Sequence, residues 1–137
     1  MVTSQIKDCQ ILEVPKVTNP EGNIGIVEGD FLPFQTKRVY YLYDVPSYAV
    51  RGGHAHKELY QFLIPVSGSF DVVLNDGTHS KRITLNKPDK GLLIVPGIWR
   101  ELENFSSGSV CLVLASEEYD ESDYIRDKEK FREFKGI

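Results

Sequence analysis

Short runs of β-branched and aromatic residues alternate with turn-forming residues along most of the chain. The runs are QILEV, NIGIVEG, KRVYYLYDV, LYQFLIPVSG, SFDVVLNDG, HSKRITL, GLLIVPG and SVCLVLAS. The breaks between them contain Asn-Pro, Ser-Gly, Asn-Asp-Gly and similar sequences that favour turns. About eight short strands at this spacing, with no helices between them, predict an all-β antiparallel sandwich or barrel.

The segment SFDVVLNDGTHSKRITL is the strongest hairpin signal in the chain. Two strand-like runs flank Asp76 and Gly77, a pair that favours a tight turn between antiparallel strands. His79 follows directly in this segment. We therefore predict a hairpin here, with His79 as a solvent-exposed turn residue.

Only the C-terminal tail, DESDYIRDKEKFREFKGI, changes its hydrophobic period. Tyr124, Phe131 and Phe134 fall on roughly one side of a helix, and Asp120 or Ser122 can cap its start. This predicts one short C-terminal helix packed on the sheets. Because the sequence has no linkers, repeats or low-complexity segments, residues 1–137 are predicted to form a single domain.

Composition and charge exclude several classes of partner. Hydrophobic residues make up 41% and charged residues 26% of the chain, as in ordinary globular proteins. The net charge is −4 without any block of like charge, so we expect neither a nucleic-acid nor a membrane partner. The N-terminus lacks a signal-peptide pattern, and Cys9 and Cys111 show no disulfide spacing. These features predict a cytoplasmic protein with reduced, buried thiols.

Two of the three histidines lie close together in the stretch RGGHAHKEL, as His54 and His56. In an extended strand this spacing sends both imidazoles to the same side, while Ala55 points the other way. Two imidazoles that share one space can bind a metal ion, or they can transfer protons.

A small β-barrel with H-x-H on an early strand resembles the cupin superfamily. In metal-binding cupins a Glu follows H-x-H after four residues, and a second motif, P-G-x-x-H, supplies a third His. Here Gln61 stands at the Glu position, and the second motif ends in Arg100 instead of His. A guanidinium has no lone pair to donate and repels a cation. We therefore expect no metal ion at this site.

The same replacements favour an anion site. Arg38, Arg51 and Arg100 can bind a carboxylate or a pyrophosphate, through paired hydrogen bonds where geometry allows. An unperturbed His has a pKa of about 6.5, so it can accept and return a proton at neutral pH. A metal-free pair of histidines beside arginines is suited to moving a proton next to a carbonyl.

The chain resembles the sugar nucleotide 3,4-ketoisomerases of the cupin superfamily. The matching stretches are PFQTKRVYYLYDV, RGGHAHKELYQFL, GLLIVPGIWREL and VLASEEYDESDYIRDKEKF, which cover most of the chain in order. The resemblance implies a jelly-roll barrel, a homodimer with exchanged N-terminal strands, and no metal or cofactor. It also implies that the substrate is a dTDP-4-keto-6-deoxyhexose, whose ketone moves from C4 to C3 through an enediolate in deoxyamino-sugar biosynthesis.

Carried over by position, the resemblance assigns roles to individual residues. His54 is the expected catalytic base and His56 its partner in proton transfer, and Tyr40 can donate to the developing oxyanion. Arg38 and Tyr40 alternate onto one face of their strand, and Tyr41 faces the opposite way. The predicted substrate-binding residues are Arg38, Arg51, Lys57, Gln61, Trp99 and Arg100.

Simpler interpretations stand beside these roles. The histidines can be buried structural residues, and Tyr40 and Trp99 can be packing residues. Arg38 and Arg51 can belong to surface ion pairs. Glu21 stands where a basic or aromatic residue is expected near the substrate, which leaves the exact sugar and the product configuration at C4 open. Two other functions stay open as well: a related sugar nucleotide epimerase, and a cupin that binds without catalysis.

Overall fold

The structure, a computed structural model, describes residues 3–137 and consists mainly of antiparallel strands with one α-helix. The prediction of an all-β antiparallel barrel with one short C-terminal helix is confirmed. The strands are β1 (Gln10–Glu13), β2 (Lys16–Asn19), β3 (Gly22–Gly25), β4 (Arg38–Leu42), β5 (Arg51–His56), β6 (Gln61–Ser67), β7 (Phe70–Asn75), β8 (Ser80–Leu85), β9 (Lys90–Ile94), β10 (Trp99–Glu103), β11 (Val110–Ala115) and β12 (Tyr124–Ile125), and the helix is α1 (Lys128–Lys135).

Ten of the strands form two five-stranded sheets. The first sheet has the order β1-β9-β6-β11-β4, and the second has the order β12-β5-β10-β7-β8. Strands β2 and β3 pair with each other as a separate hairpin, which we call the N-terminal arm (Lys16–Gly25). Every residue of both arm strands is exposed.

The main core lies between the two sheets. Side chains alternate across each strand, so Leu63 and Cys111 of the first sheet meet Val72 and Leu102 of the second. The outer face of the first sheet carries a second cluster, against which Val27, Phe31, Leu32 and Phe34 pack. The outer face of the second sheet carries a third cluster, formed with the helix. One apolar layer thus holds the two sheets together, and two further layers cover their outer faces.

Helix α1 starts later than the hydrophobic period predicts. Asp127, and not Asp120 or Ser122, caps it by accepting hydrogen bonds from the backbone N–H groups of Glu129 and Lys130. Tyr124 lies outside the helix, in β12, which pairs with β5. The tail therefore contains a short strand before its helix, and that strand brings Tyr124 beside the histidines of β5.

The hairpin predicted from SFDVVLNDGTHSKRITL is confirmed as β7 and β8, and His79 is exposed between them. Cys9 and Cys111 are free and buried, as predicted. The eight hydrophobic runs missed β2, β5, β10 and β12, whose residues are too polar or too few to stand out, and only the H-x-H motif indicated β5. Within residues 3–137, no helix is both long and apolar enough to cross a membrane.

Candidate active site

The predicted catalytic residues meet at one end of the space between the sheets. His54 and His56 of β5 and Arg100 of β10 belong to the second sheet and are almost completely buried. Tyr40 and Gln61 belong to the first sheet. The Nε2 group of Gln61 donates a 2.8 Å hydrogen bond to the hydroxyl of Tyr40. The two sheets thus contribute polar side chains to one site.

Gly52 allows β5 to carry both histidines toward the inside. Its φ angle is +70°, a left-handed conformation that favours glycine, and a Cβ there would lie 2.9 Å from Cδ1 of Leu102. The pairing of β5 with β10 changes register at this point, between Arg100 and Leu102. Beyond the irregularity His54 lies opposite Arg100, which brings their side chains together.

Arg100 determines the tautomer of His54. Its Nη2 lies 3.0 Å from Nε2 of His54, and a guanidinium can only donate hydrogen bonds. Nε2 of His54 must therefore be the accepting nitrogen, and the ring proton sits on Nδ1. Burial and the positive charge of Arg100 both hold the pKa of His54 far below its usual value, so the ring is neutral at neutral pH.

His56 lies next to Asp123, a residue to which the sequence assigned no role. Nδ1 of His56 is 3.3 Å from Oδ2 of Asp123, and neither ring nitrogen has an aligned hydrogen bond within the described chain. Burial, followed by the charges of Arg100 and Arg38, lowers the pKa of His56 to about 3. His56 is therefore also neutral at neutral pH.

Tyr124 covers both histidines. Its ring centroid lies 4.9 Å from that of His54 and 4.3 Å from that of His56. The guanidinium of Arg126 stands 4.3 Å from the centroid of the Tyr124 ring and is paired with Glu121. Sequence reasoning missed Tyr124 and Arg126 as site residues, although both lie in the stretch YDESDYIR that supported the family resemblance.

A cavity of about 340 Å³ opens beside His54, and its lining is positively charged. Four arginines line it together with Tyr40, His54 and Tyr124, and no described Asp or Glu side chain does. The arginines are Arg38, Arg51, Arg100 and Arg126. We call this the arginine cavity. Four guanidinium groups, of which Arg126 is paired with Glu121, suit a ligand with two or more negative charges.

A second cavity of about 640 Å³ opens beside His56 and has a different character. Its lining includes Glu58, Glu117, Asp120 and Asp123. Arg38 and Tyr124 line both cavities, so the two histidines face adjoining spaces that these side chains share.

Trp99 and Lys57, two of the predicted substrate-binding residues, line neither cavity, and neither does Glu21, whose orientation the sequence leaves open. Trp99 packs against Ala55, Ile125 and Phe131 on the outer face of the second sheet, because it alternates with Arg100 along β10. A role of Trp99 in substrate binding therefore stays a prediction, beside the alternative that it is a packing residue. Lys57 is exposed and lines a groove beside α1, and Glu21 is exposed at the tip of the N-terminal arm.

The donor set around the histidines does not suit a metal ion. Arg100 occupies the lone pair of His54, and Gln61 is an amide that donates to Tyr40 and offers no carboxylate. Among residues 3–137, no three His, Cys, Asp or Glu side chains are grouped to hold a metal.

Comparisons with known proteins agree with this geometry. Residues 7–136 match the family described as FdtA, WxcM-like, C-terminal. A TDP-4-oxo-6-deoxy-α-D-glucose 3,4-oxoisomerase from Aneurinibacillus thermoaerophilus is 41% identical over 126 residues, which cover 91% of each chain. The crystal structure of a 3,4-ketoisomerase from Helicobacter canadensis has a TM-score of 0.92 and 44% identity, covering 95% of this chain and 98% of that one.

A second solved structure holds a ligand. It is a histidine-to-asparagine mutant of a 3,4-ketoisomerase from Thermoanaerobacterium thermosaccharolyticum in complex with TDP-4-keto-6-deoxyglucose. Its TM-score is 0.91 and its sequence is 38% identical, covering 94% of both chains.

Proposed function

The chain belongs to the FdtA, WxcM-like C-terminal family and is therefore an isomerase, and we propose that it acts on a TDP-linked 4-keto-6-deoxyhexose. In this reaction the ketone moves from C4 to C3 of the sugar. The observation that carries the proposal is the buried, neutral His54 at the wall of the arginine cavity. A proton acceptor beside an anion site matches a sugar attached to a diphosphate.

The first step is removal of the proton on C3. The ketone at C4 acidifies this proton, and His54 as general base takes it, which leaves an enediolate across C3 and C4. The hydroxyl of Tyr40 and the guanidinium of Arg100 lie 3.5 Å apart beside His54. Both can donate to the oxyanion at O4 as its charge develops.

The second step returns protons to the other carbon and oxygen. As a proton is added at C4, the electron pair of the C=C bond forms the new C4–H bond. The O3 hydroxyl loses its proton as the C3 ketone forms, and O4 gains one. We expect His56, whose ring centroid lies 4.8 Å from that of His54, to move the proton between the two oxygens.

The diphosphate also activates the base. In the free protein Arg100 donates to Nε2 of His54, and its charge helps to lower the pKa of that ring. A bound diphosphate neutralises the surrounding arginines and competes for their N–H groups. Binding is therefore expected to raise the pKa of His54 and to free its lone pair, so that the base becomes strong only when substrate is present.

Proton NMR in D2O tests the proposed reaction. The protein is incubated with TDP-4-keto-6-deoxyglucose, with and without a chelator. We expect the ketone to move to C3, deuterium to enter C4, and the rate to be the same with chelator. The coupling constants then give the configuration at C4. Exchange at C3 or C5 with the ketone still at C4 would instead identify an epimerase, and no exchange at all would favour a binding protein.

We also propose that the chain forms a homodimer in which the N-terminal arm crosses to the partner. Val17 and Ile24 of the arm are exposed, as are Val39 and Tyr41 on the outer face of β4. A groove of about 460 Å³ beside Val39, lined mostly by apolar side chains, continues this surface. Exposed apolar side chains beside an apolar groove are typical of an interface.

Light scattering at micromolar concentration tests the dimer. We expect a mass of twice the 15.6 kDa of one chain, and a shift toward the monomer when Val39 is replaced by Asp. The matched control is Val50→Asp, an exposed valine outside the groove. A wild-type mass of one chain at every concentration would rule out the dimer.

A further inference from the structure

Asp123 is held in place by the residues that directly follow His56. Its backbone carbonyl accepts a hydrogen bond from the N–H of Lys57 at 3.0 Å. Its carboxylate accepts from the N–H of Glu58 at 2.9 Å and from the N–H of Leu59 at 3.3 Å. In addition, Tyr124 pairs with His56 between β12 and β5. Asp123 is thus fixed to the same strand end as His56, although 67 positions separate the two in sequence.

This anchoring places one carboxylate oxygen beside one nitrogen of His56. Oδ2 of Asp123 lies 3.3 Å from Nδ1, while Nε2 has no hydrogen-bond partner within residues 3–137. The contact is not aligned as a hydrogen bond in the free protein, and such bonds often tighten only when substrate binds. No other carboxylate oxygen in the described chain lies within ion-pair distance of His56.

A neutral imidazole carries a single N–H, and an ionised carboxylate can only accept. We propose that Asp123 is a positioning residue: its carboxylate keeps the ring proton of His56 on Nδ1 and thereby leaves Nε2 as the nitrogen that exchanges protons. His56 then differs from His54, because the accepting nitrogen of His54 is covered by Arg100 and that of His56 is free.

The consequence for catalysis rests on the proposed ketoisomerisation. The proton of the O3 hydroxyl passes to Nε2 of His56 and gives an imidazolium, and the same proton then passes to O4. The negative charge of Asp123 stabilises the imidazolium without becoming protonated itself, as a carboxylate partner of a catalytic histidine does. Asp123 therefore acts on the reaction through His56.

Nitrogen NMR of the histidine rings tests the tautomer without any substrate. The chain has three histidines, so the His54→Asn and His79→Asn variants assign every ring signal. We expect His56 in the wild-type protein to be neutral with its proton on Nδ1. A proton on Nε2, or on both nitrogens, at neutral pH would overturn the proposal.

The Asp123→Asn variant tests whether the carboxylate of Asp123 fixes the tautomer of His56. The amide keeps an oxygen for the backbone N–H of Glu58 but can offer an N–H to Nδ1 of His56, which moves the ring proton to Nε2. We expect this change of tautomer together with a fall in kcat of about 100-fold or more and little change in KM. An unchanged tautomer with full activity contradicts the proposal. The wild-type spectrum still decides if this variant does not fold.

The matched control is Asp127→Asn, which removes the same charge four positions away. Asp127 caps α1 and lines neither histidine cavity, and asparagine caps helices equally well. The histidine ring signals and the kcat of this variant are expected to equal those of the wild type.

If the wild type has the expected tautomer but does not convert the TDP-sugar, the proposed function fails and the assignment of Asp123 stands. If conversion occurs with the opposite tautomer, only that assignment fails.

Discussion

The His54→Asn variant is expected to lose turnover by about a thousandfold or more in kcat, while it still binds TDP. His54, the proposed base, lies buried at the wall of the arginine cavity, and asparagine cannot accept the C3 proton. The amide oxygen can take over the hydrogen bond that Arg100 donates to Nε2, so the fold and the anion site persist. The loss should therefore appear in kcat and not in the dissociation constant of TDP.

Two measurements check this result: the rate of ketone migration by NMR, and TDP binding by calorimetry. The same substitution at His79, in the exposed turn between β7 and β8, serves as the control and should leave both values unchanged. Retained turnover in His54→Asn would remove His54 from the mechanism. Loss of both turnover and TDP binding would indicate a structural role for the histidine.

The strand pattern predicted most of this fold because the alternation of buried and exposed side chains along a strand can be recognised within a few residues of sequence. The eight hydrophobic runs show this pattern, and β7 and β8 form the hairpin that the turn residues between them indicated. The local pattern failed in the tail, where the spacing of hydrophobic residues fits a helix but part of the segment forms a strand. Tyr124 stands at a helical spacing from Phe131, yet it lies in a strand that tertiary pairing with β5 creates. No local signal could distinguish these outcomes.

The candidate site was predictable only in the part that lies on strands β4, β5, β6 and β10. His54, His56, Tyr40, Gln61 and Arg100 meet as strand alternation and the family resemblance suggested. Asp123, Tyr124 and Arg126 reach the histidines because the tail folds back along β5, which is a long-range event. Trp99 shows the converse: alternation with Arg100 places it on the outer face, and applying that rule along WRELE would have predicted this.

Replacing Arg100 is expected to have the second large effect: it should raise the stability of the free protein and weaken ligand binding. Its side chain is only 3% exposed, and no described carboxylate lies within ion-pair distance of it. A buried charge without a counterion costs several kcal/mol, which a bound diphosphate offsets. The free protein thus keeps an unfavourable cation in place for its ligand.

Replacing Arg100 with Met should therefore stabilise the free protein and weaken binding. We expect the free energy of unfolding to rise by about 1–3 kcal/mol, the relief of the buried charge less the lost hydrogen bond to His54. TDP affinity should fall by about 10- to 100-fold, as for one hydrogen bond to a charged group. Denaturant unfolding and calorimetric titration measure the two quantities. Arg132→Met, on the exposed side of α1, is the control for both.

The same variant should change the protonation of His54 in a defined direction. Burial is the largest cause of the lowered pKa of His54 and remains, but the repulsion from Arg100, the next largest, is removed. The pKa of His54 should therefore rise toward its usual value, and an NMR titration of the ring follows this directly. If Arg100→Met instead lowers both stability and the pKa of His54, Arg100 is a structural partner of the histidine. A rise in both, together with weaker TDP binding, means that the cation serves the ligand at the expense of the free fold.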